Sequence, residues 1–236
     1  LLVVLGLYHR FSLPAGLKAE GTEKKSAGEE LKAVIGDFFR KKHIWLYIAF
    51  IILYRLGEGF VMKIVPLFLK ADVASGGLGL SEQQIGLYYG TFGAAAFVLG
   101  SLLAGYYISH RGLKKALFSL VCIFNLPFLV YAWFAWAQPS SALLIGSGIV
   151  LEYFGYGFGF VGLTLFMMQQ VAPGKYQMAH YAFASAIMNL SVMVTGAVSG
   201  FLSDALGYKM FFIVVMFATI PIFILSRVIP FNENKN

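Results

Sequence analysis

The sequence predicts an all-α membrane protein: a bundle of six transmembrane helices arranged as two inverted groups of three. Three observations carry that prediction. Of 236 residues, 59% are hydrophobic and only 12% charged, too little charge to cover a soluble domain of this size. Six stretches reach the roughly 20 mostly apolar residues that a helix needs to cross a bilayer. The turns between several of them are short and built from turn residues, SGGLGLSE at 75–82, QPSS at 138–141 and APGK at 172–175. Short turns make neighbouring helices antiparallel.

Taken in order, residues 1–8 (LLVVLGLY) read as the end of a preceding transmembrane helix. No initiator Met, basic start or small-residue cleavage site marks them as a signal peptide. Residues 9–43 are the one long polar segment. Their first part, rich in Gly, Lys, Glu and Ala, reads as a linker. In their second part Ser26 and Glu29 fit a capping box. Leu31, Val34, Ile35, Phe38 and Phe39 then follow helical spacing, opposite Lys32, Asp37 and Lys41. Such a helix either lies along the membrane face or docks against the ends of the bundle. The transmembrane domain covers 44–229, with spans at 44–69, 85–109, 113–137, 142–171, 179–205 and 209–229, and 230–236 form a tail.

The net charge of +7 has an address. With alternating helices, 9–43, the turn with Arg111, Lys114 and Lys115, Lys175 and the C-terminal end share one side and hold the excess of bases. The opposite side, with Lys70, Asp72, Glu82, Asp204 and Lys209, is near neutral. Basic loops stay cytoplasmic, so 9–43 and the C-terminus are expected there. Topology therefore accounts for the basic balance, and no nucleic-acid partner is needed. Trp45, Tyr47, Tyr106, Tyr107, Trp133 and Trp136 fall near span ends and read as interfacial anchors. The single cysteine, Cys122, lies in an apolar stretch and reads as a small buried hydrophobe. Nothing points to a metal or a cofactor.

Glycines four apart, 155/159, 86/90 and 196/200, offer surfaces where helices approach closely. Gly157, Gly159 and Gly162 match a dinucleotide-binding fingerprint only formally, because no strand precedes them. A more informative pair is GYYISHRG from Gly105 and GFLSDALG from Gly200. Each carries Gly at its first and eighth positions and closes the second helix of a group of three, as inverted repeats do.

The chemistry lies in the charges buried in these spans. YRLGEGF (54–60) puts Arg55 and Glu58 at the centre of the first span, about 300° apart on a helix and so on one face. A charge at the bilayer centre costs roughly 2.5–3.5 kcal/mol on insertion scales. Pairing recovers part of that cost, either as glue between helices or in a substrate or proton path. Glu152 lies at similar depth in the fourth span, the first member of the second group. Carrier binding sites form at that depth, at the repeat interface. Desolvation favours a protonated carboxyl and a nearby Arg favours a carboxylate, so separating Arg55 from Glu58 makes Glu58 take up a proton. Glu58 and Glu152 are the proton-coupling candidates. Tyr54, Arg55, Lys63, Tyr153, Tyr156 and Asn189 are the substrate-binding candidates. Lys63 could equally snorkel, the tyrosines could simply pack, and Asn189 could bridge helices. Arg111, Lys114, Lys115, Gln169, Gln170 and His180 sit at the basic ends of the spans and are the cytoplasmic-gate candidates; His180 also fits a headgroup-level position.

YRLGEGFVMKIVPLFL resembles the seventh helix of the AmpG-type muropeptide permeases of the major facilitator superfamily. LEYFGYGFGFVGLTLFMMQQ resembles their tenth helix, and HYAFASAIMNLSVMVTGAVSGFLSDALGYKMFF their eleventh and twelfth. The likeness covers nearly all of 44–229. It implies the C-terminal half of a twelve-helix carrier, with a separate N-terminal half as its partner. It also implies proton-driven import of cell-wall fragments across a bacterial inner membrane, with Arg55, Glu58 and Glu152 matching charged positions of the family pattern. Ser109 and His110 stand where the superfamily's signature loop usually has Asp and Arg, a departure at the cytoplasmic gate.

The expected function is thus a proton-coupled secondary transporter for an anionic glycan or peptide fragment. The cargo face is expected to be lined by the first, second, fourth and fifth spans. The alternatives are a carrier for a plain oligosaccharide or an acyl carrier, and a non-transporting receptor of the same fold. An enzyme acting on lipid-linked sugars would hold its acids and histidines at the membrane edge, whereas these acids are deep.

Overall fold

The structure, a computed structural model, describes Tyr8 and residues 27–232. The expected helix end at 1–8 (Tyr8 apart), the linker, Ser26 of the capping box and the tail beyond Asn232 lie outside the described residues. The elements are α1 (Ala27–Arg40), α2 (Ile44–Lys70), α3 (Glu82–Arg111), α4 (Leu113–Ala137) and α5 (Ala142–Val171). A 52-residue helical run, Gln177–Val228, follows. It breaks at Gly207, whose φ of 67° and ψ of 163° are not helical, into α6 (177–206) and α7 (208–228). The described residues contain no strand.

Four of these runs are apolar and long enough to cross a membrane, the last of them twice. The 27-residue α2, which carries Arg55, Glu58, Lys63 and Lys70, is long enough as well. The expected spans fall within the observed helices to within three residues at every end. Helix starts follow local chemistry. Ser81 caps α3 reciprocally with Gln84, and the Ser141 hydroxyl accepts from the Leu144 amide at the start of α5.

The two groups of three exchange partners symmetrically. The second helix of each group packs on the first helix of the other. On α2, Ser191 of α6 donates to the Ile52 carbonyl at 3.1 Å, and Gly59 faces Thr195. On α5, Ser101 of α3 donates to the Gly157 carbonyl at 3.2 Å, and Gly100 faces the Phe154 backbone. The paired GYYISHRG and GFLSDALG motifs end in the same joint. Gly112 (φ 73°, ψ 146°) ends α3 and Gly207 (φ 67°, ψ 163°) ends α6, in a backbone conformation that L side chains rarely adopt. Each is followed by a helix with an internal proline, Pro127 in the break of α4 and Pro221 in α7.

Of the three glycine pairs, only Gly155 and Gly159 mark a close helix contact at both positions, against Ile123 and Phe124 of α4. Gly86, Gly90 and Gly200 face open space, while Gly196 lies against the Lys63 stem. The spacing alone does not say which side of a helix is covered. The interior is aromatic, with Phe50, Tyr54, Phe124, Phe128, Tyr131, Phe166 and Phe212 all buried, and the outer faces of α3, α6 and α7 expose Leu102, Phe201 and Phe217. A greasy exterior of this kind suits lipid as solvent.

The two ends of the bundle are tied differently. At one end Gln138 donates to the Gly76 carbonyl at 2.9 Å, and the Lys209 ammonium sits over the Trp136 ring. At the other, Lys41 donates to the carbonyls of Val171, Ala172 and Pro173 at 2.6, 3.1 and 2.7 Å, capping α5 with a positive charge. Burial pushes this ammonium below the usual lysine range, opposed by the nearby Asp37 charge. The Asn232 amide donates to Gln170 Oε1 at 2.8 Å there. Helix α1 docks at this end through Phe38, which is buried beside Phe183 and His180. Its other edge, Leu31, Ile35 and Phe39, stays exposed, so α1 is at once a docking helix and a helix with an open apolar face.

One interfacial anchor is corrected. Tyr47 is buried, edge-on to Phe166, and its hydroxyl donates to the Pro230 carbonyl at 3.1 Å. Trp45, Tyr106, Trp133 and Trp136 are exposed.

Candidate functional site

A cavity of about 270 Å³ opens between α2, α3 and α5. Glu58, Val61, Met62 and Pro66 line it from α2, Tyr89 from α3, and Glu152, Tyr153 and Tyr156 from α5. The first helix of each group therefore contributes one carboxylate. Both acids are buried, and both sit on the Gly76–Gln138 side of their helix centres.

The two acids are compensated differently. Glu58 Oε2 lies 2.7 Å from Arg55 Nε, one helical turn away. The approach is off the hydrogen-bond angle, so Glu58 Oε2 and the Nε and Nη1 donors of Arg55 have no hydrogen-bond partner among the described residues. The guanidinium lies 5.8 Å from the Tyr156 ring centre and 5.3 Å from that of Phe160. Those rings stabilise the cation without using its N–H groups. Glu152 instead accepts a hydrogen bond from the Tyr131 hydroxyl at 3.1 Å, and that hydroxyl is 3.5 Å from the hydroxyl of Tyr89.

Among the substrate-binding candidates, Tyr153 and Tyr156 line the cavity and Arg55 stands behind Glu58. Tyr54 does not reach it: the ring is wholly buried against Phe50 and Phe124, and the hydroxyl donates to the Gly159 carbonyl at 2.8 Å. Lys63 is exposed with its stem along Gly196, and Asn189 is exposed on α6; neither lines the cavity. Three of the four expected spans contribute to the cavity wall, and α6 does not.

The gate candidates separate into two kinds. Arg111, Lys114 and Lys115 are exposed around the α3–α4 joint, with Arg111 against the Tyr107 ring, and Gln169 is exposed as well. Gln170 and His180 are buried and occupied. Gln170 holds the C-terminal segment. His180 is wholly buried, and its Nε2 is 3.2 Å from the Val34 carbonyl and 3.7 Å from Asp37 of α1. His180 thus sits under α1.

Sequence reasoning missed Tyr89 and Tyr131. Both sit in apolar runs where an aromatic residue is ordinarily packing. What distinguishes them is a hydroxyl deep in a span, where it needs a partner.

The sequence model described as Major Facilitator Superfamily matches residues 51–236. The chain is similar to the Anhydromuropeptide permease of Escherichia coli (strain K12), 24% identical over 204 residues, covering 86% of this chain and 40% of that protein. It is similar to the Putative transporter AmpG 2 of Rickettsia felis, 28% identical over 215 residues (84% and 49%). It is also similar to the Putative transporter AmpG 2 of Rickettsia prowazekii, 26% identical over 204 residues (84% and 47%). The chain spans less than half the length of these relatives. With the match over most of its length and its all-helical, twice-repeated architecture, the chain belongs to the Major Facilitator Superfamily.

Proposed function

We propose that this chain forms the C-terminal half of a proton-coupled carrier that imports muropeptides or similar amino-sugar fragments across a bacterial inner membrane. One observation carries the reading: Glu58 and Glu152, from equivalent helices of the two groups, are buried in the wall of one cavity at mid-span depth. Intramembrane carboxylates are costly and commonly mark proton and substrate paths. Arg55, with two buried donors that lack acceptors among the described residues, is suited to an anionic group of the cargo. The rings of Tyr89, Tyr153 and Tyr156 are suited to sugar faces. At about 270 Å³ the cavity is small for such a cargo, as half of a shared site would be. The likeness to the Escherichia coli Anhydromuropeptide permease supports the cargo class.

In this reading residues 9–43 form the cytoplasmic loop between halves and the C-terminus is cytoplasmic, by the excess of bases at that end. Glu58 exchanges its proton as the Arg55 contact opens and closes. The test is uptake by the whole carrier in proteoliposomes under an imposed proton gradient, with labelled anhydromuropeptide and with a plain oligosaccharide. Glu58→Gln is expected to abolish gradient-driven uptake and to spare exchange. Unchanged proton coupling removes Glu58 from the mechanism, and preference for the oligosaccharide replaces the cargo.

A further inference from the structure

The cavity wall holds a chain of hydroxyls that ends on Glu152. Tyr131 of α4 has no exposed surface, and its ring is fixed by stacking on Phe212 at 5.9 Å. A phenol carries a single proton. With that proton donated to the Glu152 carboxylate, the Tyr131 oxygen is left to accept from Tyr89. Tyr89 then shows the cavity only lone pairs. The 3.5 Å Tyr89–Tyr131 separation is long for O–H···O, so this is the link that turns most easily. The groups facing Glu152 are Tyr131 from α4, Tyr89 from α3, Glu58 from α2 and Tyr153 beside it on α5. From helix α7 the Phe212 ring packs against Tyr131.

We propose that Tyr131 and Tyr89 report the protonation of Glu152 to the cargo by reversing their hydrogen bonds. One proton from the cavity joins the carboxylate, and no other covalent bond forms or breaks. The new carboxyl O–H donates to Tyr131, Tyr131 turns its proton to Tyr89, and Tyr89 turns its own into the cavity. Tyr89 changes from acceptor to donor. A cargo presenting a carbonyl or carboxylate oxygen at this wall is held more tightly when Glu152 carries its proton. The inference rests on the proposed coupling role of Glu152; Tyr131 is a positioning residue and Tyr89 touches the cargo.

The test measures binding of labelled anhydromuropeptide to the purified whole carrier as a function of pH. Wild-type affinity is expected to strengthen as pH falls. Tyr131→Phe and Tyr89→Phe are expected to flatten that dependence, losing about fivefold at low pH, the worth of one hydrogen bond; Tyr131→Phe, which does not touch the cargo, is expected to retain its affinity at high pH. Glu152→Gln separates the outcomes. A flat Glu152→Gln profile beside a wild-type-steep Tyr131→Phe profile overturns the relay and leaves coupling intact. A steep Glu152→Gln profile, or a wild type indifferent to pH, overturns both. A readout without cargo guards against misfolding of Tyr131→Phe. The infrared carboxyl band assigned to Glu152 by its loss in Glu152→Gln should rise in frequency in Tyr131→Phe, and an unmoved band overturns the relay.

Discussion

Helices α2 and α5 hold equivalent places in the two groups, and each puts one acid into the same cavity. The likeness ends at their neutralising partners. Glu58 has a full positive charge 2.7 Å away, supplied by its own helix, whereas Glu152 has a neutral hydroxyl at 3.1 Å, supplied by another. Symmetry fixes depth and direction, and local chemistry then assigns different work. A charge pair stores energy that movement can release. A hydroxyl bond accommodates either protonation state with a small change of geometry.

Removing one partner on each side breaks the comparison most sharply. Arg55→Ala leaves a buried carboxylate without its counter-charge and is expected to cost roughly 3–5 kcal/mol. Glu152→Gln keeps an oxygen that accepts from Tyr131 and should cost about 1 kcal/mol or less. Thermal unfolding of the purified carrier in detergent ranks the two. An equal or reversed ranking means that the Arg55–Glu58 contact, with its unmet donors, contributes little to holding α2 in place.

The backbone contacts of the same two helices give the next effect in size. A methyl group at Gly157 of α5 would run into the Phe97 carbonyl and backbone of α3, which cannot step aside. At Gly59 of α2 the first obstacle is the Thr195 side chain. Overpacking of this sort costs roughly 1–3 kcal/mol, so Gly157→Ala should fall at the upper end and Gly59→Ala below it. Equal melting temperatures for the two variants would show the α5–α3 contact to be as yielding as the α2–α6 one.

These contrasts also mark what the sequence could and could not reveal. The spans, the two glycine joints at Gly112 and Gly207 and the deep charges were legible, because each rests on the local chain: hydropathy over 20 residues, a positive φ, an ion in lipid. Which face of a helix is covered was not, because helices apolar on all sides carry no stripe to read. Tyr54 and Tyr153 looked alike in the sequence; one is locked onto the Gly159 carbonyl and the other lines the cavity. His180 looked like a surface residue because nothing in its own segment shows that α1 returns to cover it. Tyr131 was hidden for the same reason, since its partner lies on the next helix.

The smallest effect is expected where α2 ends. Lys70 Nζ and Glu82 Oε1 are 2.6 Å apart, about as close as Arg55 and Glu58, yet both are solvent-exposed. Their hydrogen bond raises the Lys70 ammonium above its usual range and holds the Glu82 carboxyl below its own. Whatever the pair adds is therefore present between the two ordinary values, 4.5 and 10.5. It fades as acid protonates Glu82 below that window and as alkali deprotonates Lys70 above it. Water screens such a pair, so Lys70→Ala and Glu82→Ala should leave the melting temperature unchanged within error at neutral pH. A loss matching that of Arg55→Ala would mean that separation, and not the surrounding medium, sets the strength of ion pairs along α2. The contrast drawn between its buried and exposed ends would then fail.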